Sequence, residues 1–279
     1  MKTLKHKSRG EAVYILEELL VRLGYDVFVS QYFGTDTRDA VKDFQLKNNL
    51  VVDGFVGPKT WSMLIEKDQQ LILFNDKFLS ERNIKEFAEQ YNLEIAVVKA
   101  VNSVESRGKG FLIHGRPVIL FEGHVFWKQL ESRGINPNDF VSTRYKDVLY
   151  KSWTKNFYKG GAGEYTRLEK AAGMSDKSEF HDAAYCSASW GAFQIMGYHY
   201  KALGYVSIDH FVSQMYDHER EHLRAFGKFI SVNKISGKPL INWPREKKWA
   251  KFIHGYNGAG YQQSKYDIKL QKTYNNFKN

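Results

Sequence analysis

The sequence predicts a mainly α-helical protein of two domains: a bundle of three short helices, then a larger α+β domain with a small β-hairpin. Three observations predict it. Through residues 1–66, apolar residues recur at helical spacing between glycine stops. A polar and mixed stretch over 67–79 then breaks the pattern. Beyond it, a helical run from Asn92 ends at Glu105, and "FLIHGRPVILFEGH" comes next as two short extended runs. The expected division is therefore 1–66, a linker over 67–79, and 80–279. With 279 residues, 43% of them hydrophobic, the chain has material for both cores.

In the first domain, Ser8 and Glu11 have the S-x-x-E spacing of a capping box. Ala12, Leu16, Leu19, Leu20 and Leu23 then form one helical face, and Gly24 can take the left-handed conformation that stops it. A second helix begins near Asp36, with Ala40, Val41 and Phe44 inward. A third starts at Gly57-Pro58, because proline is preset for a first helical turn, and buries Trp61, Leu64 and Ile65. "YFGTDTRDAVKDF" and "GFVGPKTWSML" echo each other as aromatic, glycine, threonine and then an apolar face. Leu16, Phe44 and Trp61 are core residues on this reading, and ligand contacts fall to the loop residues Tyr32, Asp53 and Phe55.

In the larger domain, Ser80 and Asn83 are helix starts. Asn92 caps a helix carrying Ile95, Val98, Val101 and Val104, with Glu94 near its positive end. Glu105 stands at the other end, where unpaired carbonyls disfavour a negative charge. Shielding by Val101, Val104 and Phe111 would favour the protonated carboxyl further, as a general acid needs. The bland alternative is a solvated terminal glutamate paired with Arg107. After it, two strands are expected at 111–114 and 117–121 around a Gly115-Arg116 turn. "SWGAFQIMG" is a glycine-flanked turn that leads from Gln194 into Ile195-Met196. "FIHGYNGAGY" closes a helix over 246–254 and puts Tyr256 and Asn257 in a glycine-rich turn.

Composition narrows the function classes. The single cysteine, Cys186, excludes an internal disulfide framework and a cysteine-rich zinc site. The N-terminus lacks the layout of a signal peptide, and no run of about 18 apolar residues offers a membrane span. Residues 1–66 carry nine basic and nine acidic side chains, so the whole net charge of +10 lies in 67–279. That charge draws polyanions. No recognition helix, zinc finger or RNA-binding aromatic pattern accompanies it, so nucleic acid is not the expected partner. His218-Glu219-Arg220-Glu221-His222 does fit H-E-x-x-H, which can place two zinc ligands and a base on one helix. This helix is highly charged and reads as solvated, and no third ligand stands at a familiar spacing. Zinc-dependent peptide hydrolysis is the rival enzyme reading, and a basic binding protein is the non-enzymatic one.

Residues 4–65 closely resemble the peptidoglycan-binding module of cell-wall hydrolases, through "LKHKSRGEAVYILEELLVRLGY", "YFGTDTRDAVKDFQ" and "VVDGFVGPKTWSMLI". The resemblance implies a module that holds glycan or stem peptide and does no chemistry. Residues 80–277 are similar to the lysozyme-like N-acetylmuramidase domain of modular phage endolysins, through "ESRGKGF", "FEGHVFW", "SWGAFQIMG" and "YNGAGY" in that order. This implies that Glu105 is the catalytic acid and that the substrate is the peptidoglycan glycan strand, cleaved at the β-1,4 bond between N-acetylmuramic acid and N-acetylglucosamine. Glycosidases commonly use a second carboxylate. Glu122, just after the hairpin, is the candidate, with a structural role beside His124 as its alternative, and Asp139, Glu164 and Asp182 stay open. Gln194, Tyr256 and Asn257 would line the sugar groove. Ser189 joins them as a substrate-side candidate, although it, Trp190 and Phe193 also suit wall and core. A lytic transglycosylase, forming 1,6-anhydro products, shares the same glutamate and turns. No metal and no cofactor are implied. The expected partner is peptidoglycan, with anionic envelope polymers or lipids as further ones, and the chain is expected to act as a monomer. It would wait in the host cytoplasm and reach the wall at lysis.

Overall fold

The computed structural model describes residues 3–68, 77–106, 110–112, 115–257 and 265–278, the side chains of Ser106 and Asn257 excepted. The chain forms two compact units, the first built on Met1–Asp76 and the second beginning at Lys77. Among the described residues, no helix is long and apolar enough to cross a membrane.

The first unit contains α1 (Glu11–Arg22), α2 (Thr35–Lys47) and α3 (Pro58–Lys67). Leu16, Leu19, Leu20, Val41, Phe44, Trp61 and Leu64 close its core, each almost fully buried. Burying one such side chain stabilises by about 1.5–3 kcal/mol before entropy is counted. The Ser8–Glu11 capping box does not form: Gly10 is the N-cap, and Ser8 Oγ accepts the Lys5 N–H at 3.1 Å instead. The echo between the two loops has a structural counterpart. Leu4 bridges to Val56, Arg9 bridges to Tyr32, and a glycine caps the next helix in both places.

Two buried polar side chains brace these loops. Glu17 breaks the apolar pattern of α1, yet it is fully buried. Its carboxylate accepts the Ser30 N–H at 2.6 Å, the Gln31 N–H at 2.9 Å and the Thr37 hydroxyl at 3.0 Å. Gln45 accepts the Gly54 N–H and donates to Asp53 Oδ1 and the Phe55 carbonyl. Buried polar groups stay cheap only when so partnered.

In the second unit, α4 (Glu81–Gln90) starts at Ser80 with a reciprocal Ser80/Asn83 capping box. Next, α5 (Ile95–Val101) starts at Glu94 rather than at Asn92, which takes a left-handed φ of 48° and closes α4. Glu94 accepts from Tyr274 Oη at 2.6 Å and pairs with Lys247, and Lys247 is the main reason its carboxyl is held below the usual range. Strand β1 (Ile119–Phe121) leads to α6 (Gly123–Glu131), α7 (Gly163–Ala172) and α8 (Ser178–Cys186). Strands β2 (Ala188–Trp190) and β3 (Ile195–Met196) come next, then α9 (Ile208–Asp217) and α10 (Glu219–Val232). A two-residue pair, β4 (Lys234–Ile235) and β5 (Lys238–Pro239), precedes α11 (Asn242–Arg245), α12 (Trp249–Asn257) and α13 (Tyr266–Lys278).

The sheet departs from expectation. β1 pairs with β2, not with 111–114, and the antiparallel order is β1-β2-β3. Among the described residues, the two runs read as a hairpin are joined by the Phe111–Pro117 bridge and by the bonds of the Leu112 N–H to the Arg116 carbonyl and of the Val118 N–H to the Gly110 carbonyl, and residues 113–114 lie outside those described. A second hairpin is β2–β3, with Ser189 opposite Met196 and Trp190 opposite Ile195. Gly191 in the left-handed region lets the chain reverse between these strands.

Candidate active site

Glu105 lies on a π-helical turn, Asn102–Ser106, that continues α5. The residue a π turn inserts rotates the next side chains by about 100° relative to a continuing α-helix. Glu105 is half-buried, with Val101 and Phe111 buried nearby in sequence. Helix α13 packs against both α5 and the π turn. Arg107, the partner of the bland reading, lies outside the described residues.

The β2–β3 turn supplies Gln194, exposed and with φ +48°. Its amide is oriented at both ends: Nε2 donates to the Gly191 carbonyl at 2.8 Å and to Val118 at 3.2 Å, and Oε1 accepts from Ser189 Oγ at 2.8 Å. Ser189 is therefore corrected. It is buried, and its hydroxyl fixes Gln194 instead of facing a ligand.

Tyr256 is also corrected in part. Helix α12 runs through Asn257, so Tyr256 belongs to its last turn and not to a glycine-rich loop. Residues 258–264 and the Asn257 side chain lie outside those described. The half-buried Tyr256 ring is packed by Phe226, Phe229 and Phe252 at centroid distances of 5.5, 5.7 and 5.9 Å. Its hydroxyl donates to the carbonyl of Phe193, next to Gln194. Burial first, and then the negative charge of Glu105, hold its phenol well above the ordinary range. The Tyr256 hydroxyl and the Gln194 turn thus lie together at the Val118 end of the sheet.

Glu122 stands at the other end. Its N–H bonds Ser187 beyond the Phe121–Ala188 pair, whereas Gln194 bonds Val118. Four residues of extended chain separate Val118 from Glu122, about 13 Å. The Glu122 carboxylate is committed locally: both oxygens accept Tyr158 Oη, at 2.7 and 2.8 Å, and His124 Nδ1 lies at 3.3 Å. Desolvation pushes its carboxyl up, opposed by the Tyr158 hydroxyl. These contacts are those of the structural alternative beside His124. Glu164 is fully buried and ion-paired with Arg167 at 2.7 Å. Asp139 accepts from Asn136, and Asp182 sits 3.3 Å from His181.

The H-E-x-x-H segment is buried, not solvated: Glu219, Glu221 and His222 are each less than a tenth exposed. His218 caps α10 through Nδ1, which accepts the Arg220 N–H. His222 Nδ1 accepts the Ala192 N–H at 3.1 Å, so the proton sits on Nε2, 2.7 Å from the Met215 carbonyl. Both ring nitrogens are occupied, and a zinc ion would have to displace a backbone bond. Among the described residues no cluster of three or more His, Cys, Asp or Glu is arranged to hold a metal.

Burial pushes the His222 imidazole down to about 4, from an ordinary 6.5. The unfolded chain therefore binds a proton between those values that the folded chain refuses. This contribution to stability is full above about 6.5 and falls away as pH drops towards 4, to a limit of roughly 3 kcal/mol. Urea midpoints measured from pH 7.5 to 4 should decline across that window. In His222→Gln this part of the slope should vanish; an unchanged slope would assign it to other groups.

In the first unit, Tyr32 carries the Arg9 guanidinium over its ring at 4.2 Å, and Phe55 is 45% exposed. Asp53 is exposed, but its Oδ1 accepts both Gln45 Nε2 and the Phe55 N–H, so one oxygen serves the loop.

Residues 94–278 match the N-acetylmuramidase family, and residues 9–64 match a peptidoglycan binding domain. The chain belongs to the N-acetylmuramidase family. This muramidase is a glycoside hydrolase with peptidoglycan as its substrate. Along its whole length it is also similar to the Burkholderia AP3 phage endolysin, whose crystal structure aligns with a TM-score of 0.64 at 38% identity over 99% of each chain. Sequence reasoning matches the family correctly but misses what Glu219, His222 and Arg167 do in the muramidase. A local signal exists for His222 alone: Gly191, where an added Cβ would come within 2.7 Å of the imidazole, marks a close approach.

Proposed function

We propose that Glu105 is the general acid of this muramidase and that Gln194 orients the glycan. The observation that carries the reading is the half-buried place of Glu105 on a π-helical turn, five residues before Gly110, whose carbonyl is tied through Val118 to the Gln194 turn. The Glu105 carboxyl gives its proton to the glycosidic oxygen as the C1–O bond of N-acetylmuramic acid breaks. The oxocarbenium-like sugar then takes water at C1, and the proton lost by that water returns to the Glu105 carboxylate. Tyr256 acts through its hydroxyl, which holds the Phe193–Gln194 backbone. Glu122 has no chemical role in this scheme.

The same reading assigns 1–66 to wall binding through Tyr32, Asp53 and Phe55, 67–79 to a linker and 80–279 to catalysis, supported by the two matched segments. It makes the protein an endolysin, held in the host cytoplasm until lysis and acting as a monomer. The excess positive charge of 67–279 favours anionic envelope polymers or lipids as secondary contacts. Digestion of purified sacculi with subsequent mass spectrometry tests the chemistry. Hydrolysis yields products with a reducing N-acetylmuramic acid end, heavier by one water than 1,6-anhydro products, and a predominance of the latter would refute water as the acceptor.

A further inference from the structure

The H-E-x-x-H segment fits no metal, yet its buried side chains bond backbone on both sides of the proposed cleft. Glu219 Oε1 accepts the Gly110 N–H at 2.9 Å, and Oε2 accepts the Leu79 N–H at 2.9 Å. Gly110 comes five residues after Glu105 and leaves no room for a side chain, since an added Cβ would lie 2.4 Å from Glu219 Oε1. From Gly110 a chain of hydrogen bonds runs to the opposite wall. The Val118 N–H donates to the Gly110 carbonyl at 2.9 Å, and the Val118 carbonyl accepts the Gly191 N–H at 2.8 Å and Gln194 Nε2 at 3.2 Å. One helical turn after Glu219, His222 closes the same circuit. Its ring lies 4.9 Å from that of Phe111, and its Nδ1 accepts from Ala192 within the Gln194 turn.

We infer that Glu219 and His222 are positioning residues of the muramidase, which set the spacing between the Glu105 segment and the Gln194 turn. The first turn of α10 holds Gly110 and Phe111 with one hand and Ala192 with the other. Neither side chain touches substrate. A carboxylate suits Glu219 because two backbone donors converge on it where water is excluded, and charge-assisted bonds of this kind are stronger than neutral ones. Displacement of a catalytic group by about 1 Å is enough to cost a hundredfold in rate, so loosening this frame should appear in kcat. The inference rests on the reading of Glu105 as the acid.

The test compares Glu219→Ala, Glu219→Gln and Glu105→Gln in the full chain on soluble glycan fragments. Glu219→Ala should lower kcat at least tenfold with KM within twofold, and should displace the acid limb of the kcat–pH profile. Far-UV circular dichroism and sacculus binding should remain at wild-type level. Glu219→Gln keeps the shape and one acceptor, and should recover most of the rate. Rates and pH profile in Glu219→Ala within twofold of wild type would overturn the inference. So would equal losses in both Glu219 variants that merely track the folded fraction, which is monitored by thermal melting in case Glu219→Ala folds poorly. Activity surviving in Glu105→Gln would instead overturn the assignment of the acid, whatever the Glu219 variants do.

Discussion

Glu105→Gln should abolish wall cleavage, with kcat falling by between about a hundredfold and ten-thousandfold while the fold stays intact. Glutamine keeps the size of the side chain and a carbonyl oxygen, but it has no acidic proton for the leaving oxygen. Binding to sacculi should be unchanged, because the peptidoglycan binding match lies at residues 9–64. Glu122→Gln is the control. Its carboxylate bonds Tyr158 at the opposite end of β1, so that variant should keep most of its kcat and lose stability instead. A Glu105→Gln protein that still lyses, or a Glu122→Gln protein that loses turnover while folded, would reverse the assignment of the acid.

The helices are legible in the sequence wherever periodicity and a terminator agree. Gly57-Pro58 starts α3 and Ser80 starts α4 because both signals act locally, through a preset φ and a side-chain bond to the third residue. The misplaced starts have local causes as well. Ser8 loses its capping role because the segment before α1 is held by pairing with the 31–33 strand-like loop, through Lys7 to Phe33 and Gly10 to Gln31. The sheet is less legible for a different reason. β1 and β2 are separated by more than sixty residues, and no alternation within "PVILF" says which strand will lie beside it. Nearness in sequence suggests 111–114, which meets the run at Phe111–Pro117, and tertiary pairing sets 188–190 beside 119–121.

The candidate site is legible in its parts and not in its connections. Glu105 and Gln194 stand out because a carboxylate at a helix end and an amide in a glycine-flanked turn are conspicuous in sequence. The π turn beneath Glu105 has no comparable local signature. Buried polar residues are the least legible. Glu17, Glu219 and His222 are spaced like surface residues of charged helices, and only the backbone donors that reach them from elsewhere in the chain reveal them as internal braces. Charge alone therefore misassigns the H-E-x-x-H helix to solvent, and what stands against zinc there is the bonding of both His222 ring nitrogens to backbone.

Arg167→Met should destabilise the larger unit by about 3–5 kcal/mol, because it strands a buried carboxylate. Arg167 is only 2% exposed. It pairs with Glu164 at 2.7 Å and donates to the carbonyls of Phe121 at 2.8 Å and Asp147 at 2.9 and 3.1 Å. Methionine fills most of the volume and satisfies none of these acceptors. Glu164 would keep the N–H groups of Lys159, Gly160 and Phe121 but lose its counter-charge in a site closed to water. The thermal transition should fall by roughly 10 °C. Adding Glu164→Gln to Arg167→Met removes the stranded charge, so the double variant should be more stable than the single one, and the cycle measures the pair's coupling. A loss below about 1 kcal/mol would mean that the loop before α7 opens and admits water to Glu164. Turnover by Arg167→Met, measured below its transition and scaled to the folded fraction, should stay near wild type. Arg167 grips the Phe121 end of β1, whereas Gln194 is held at the Val118 end. A fall in kcat at full folding would show that a three-residue strand transmits strain from one end to the other, and that the cleft depends on this ion pair as well as on α10.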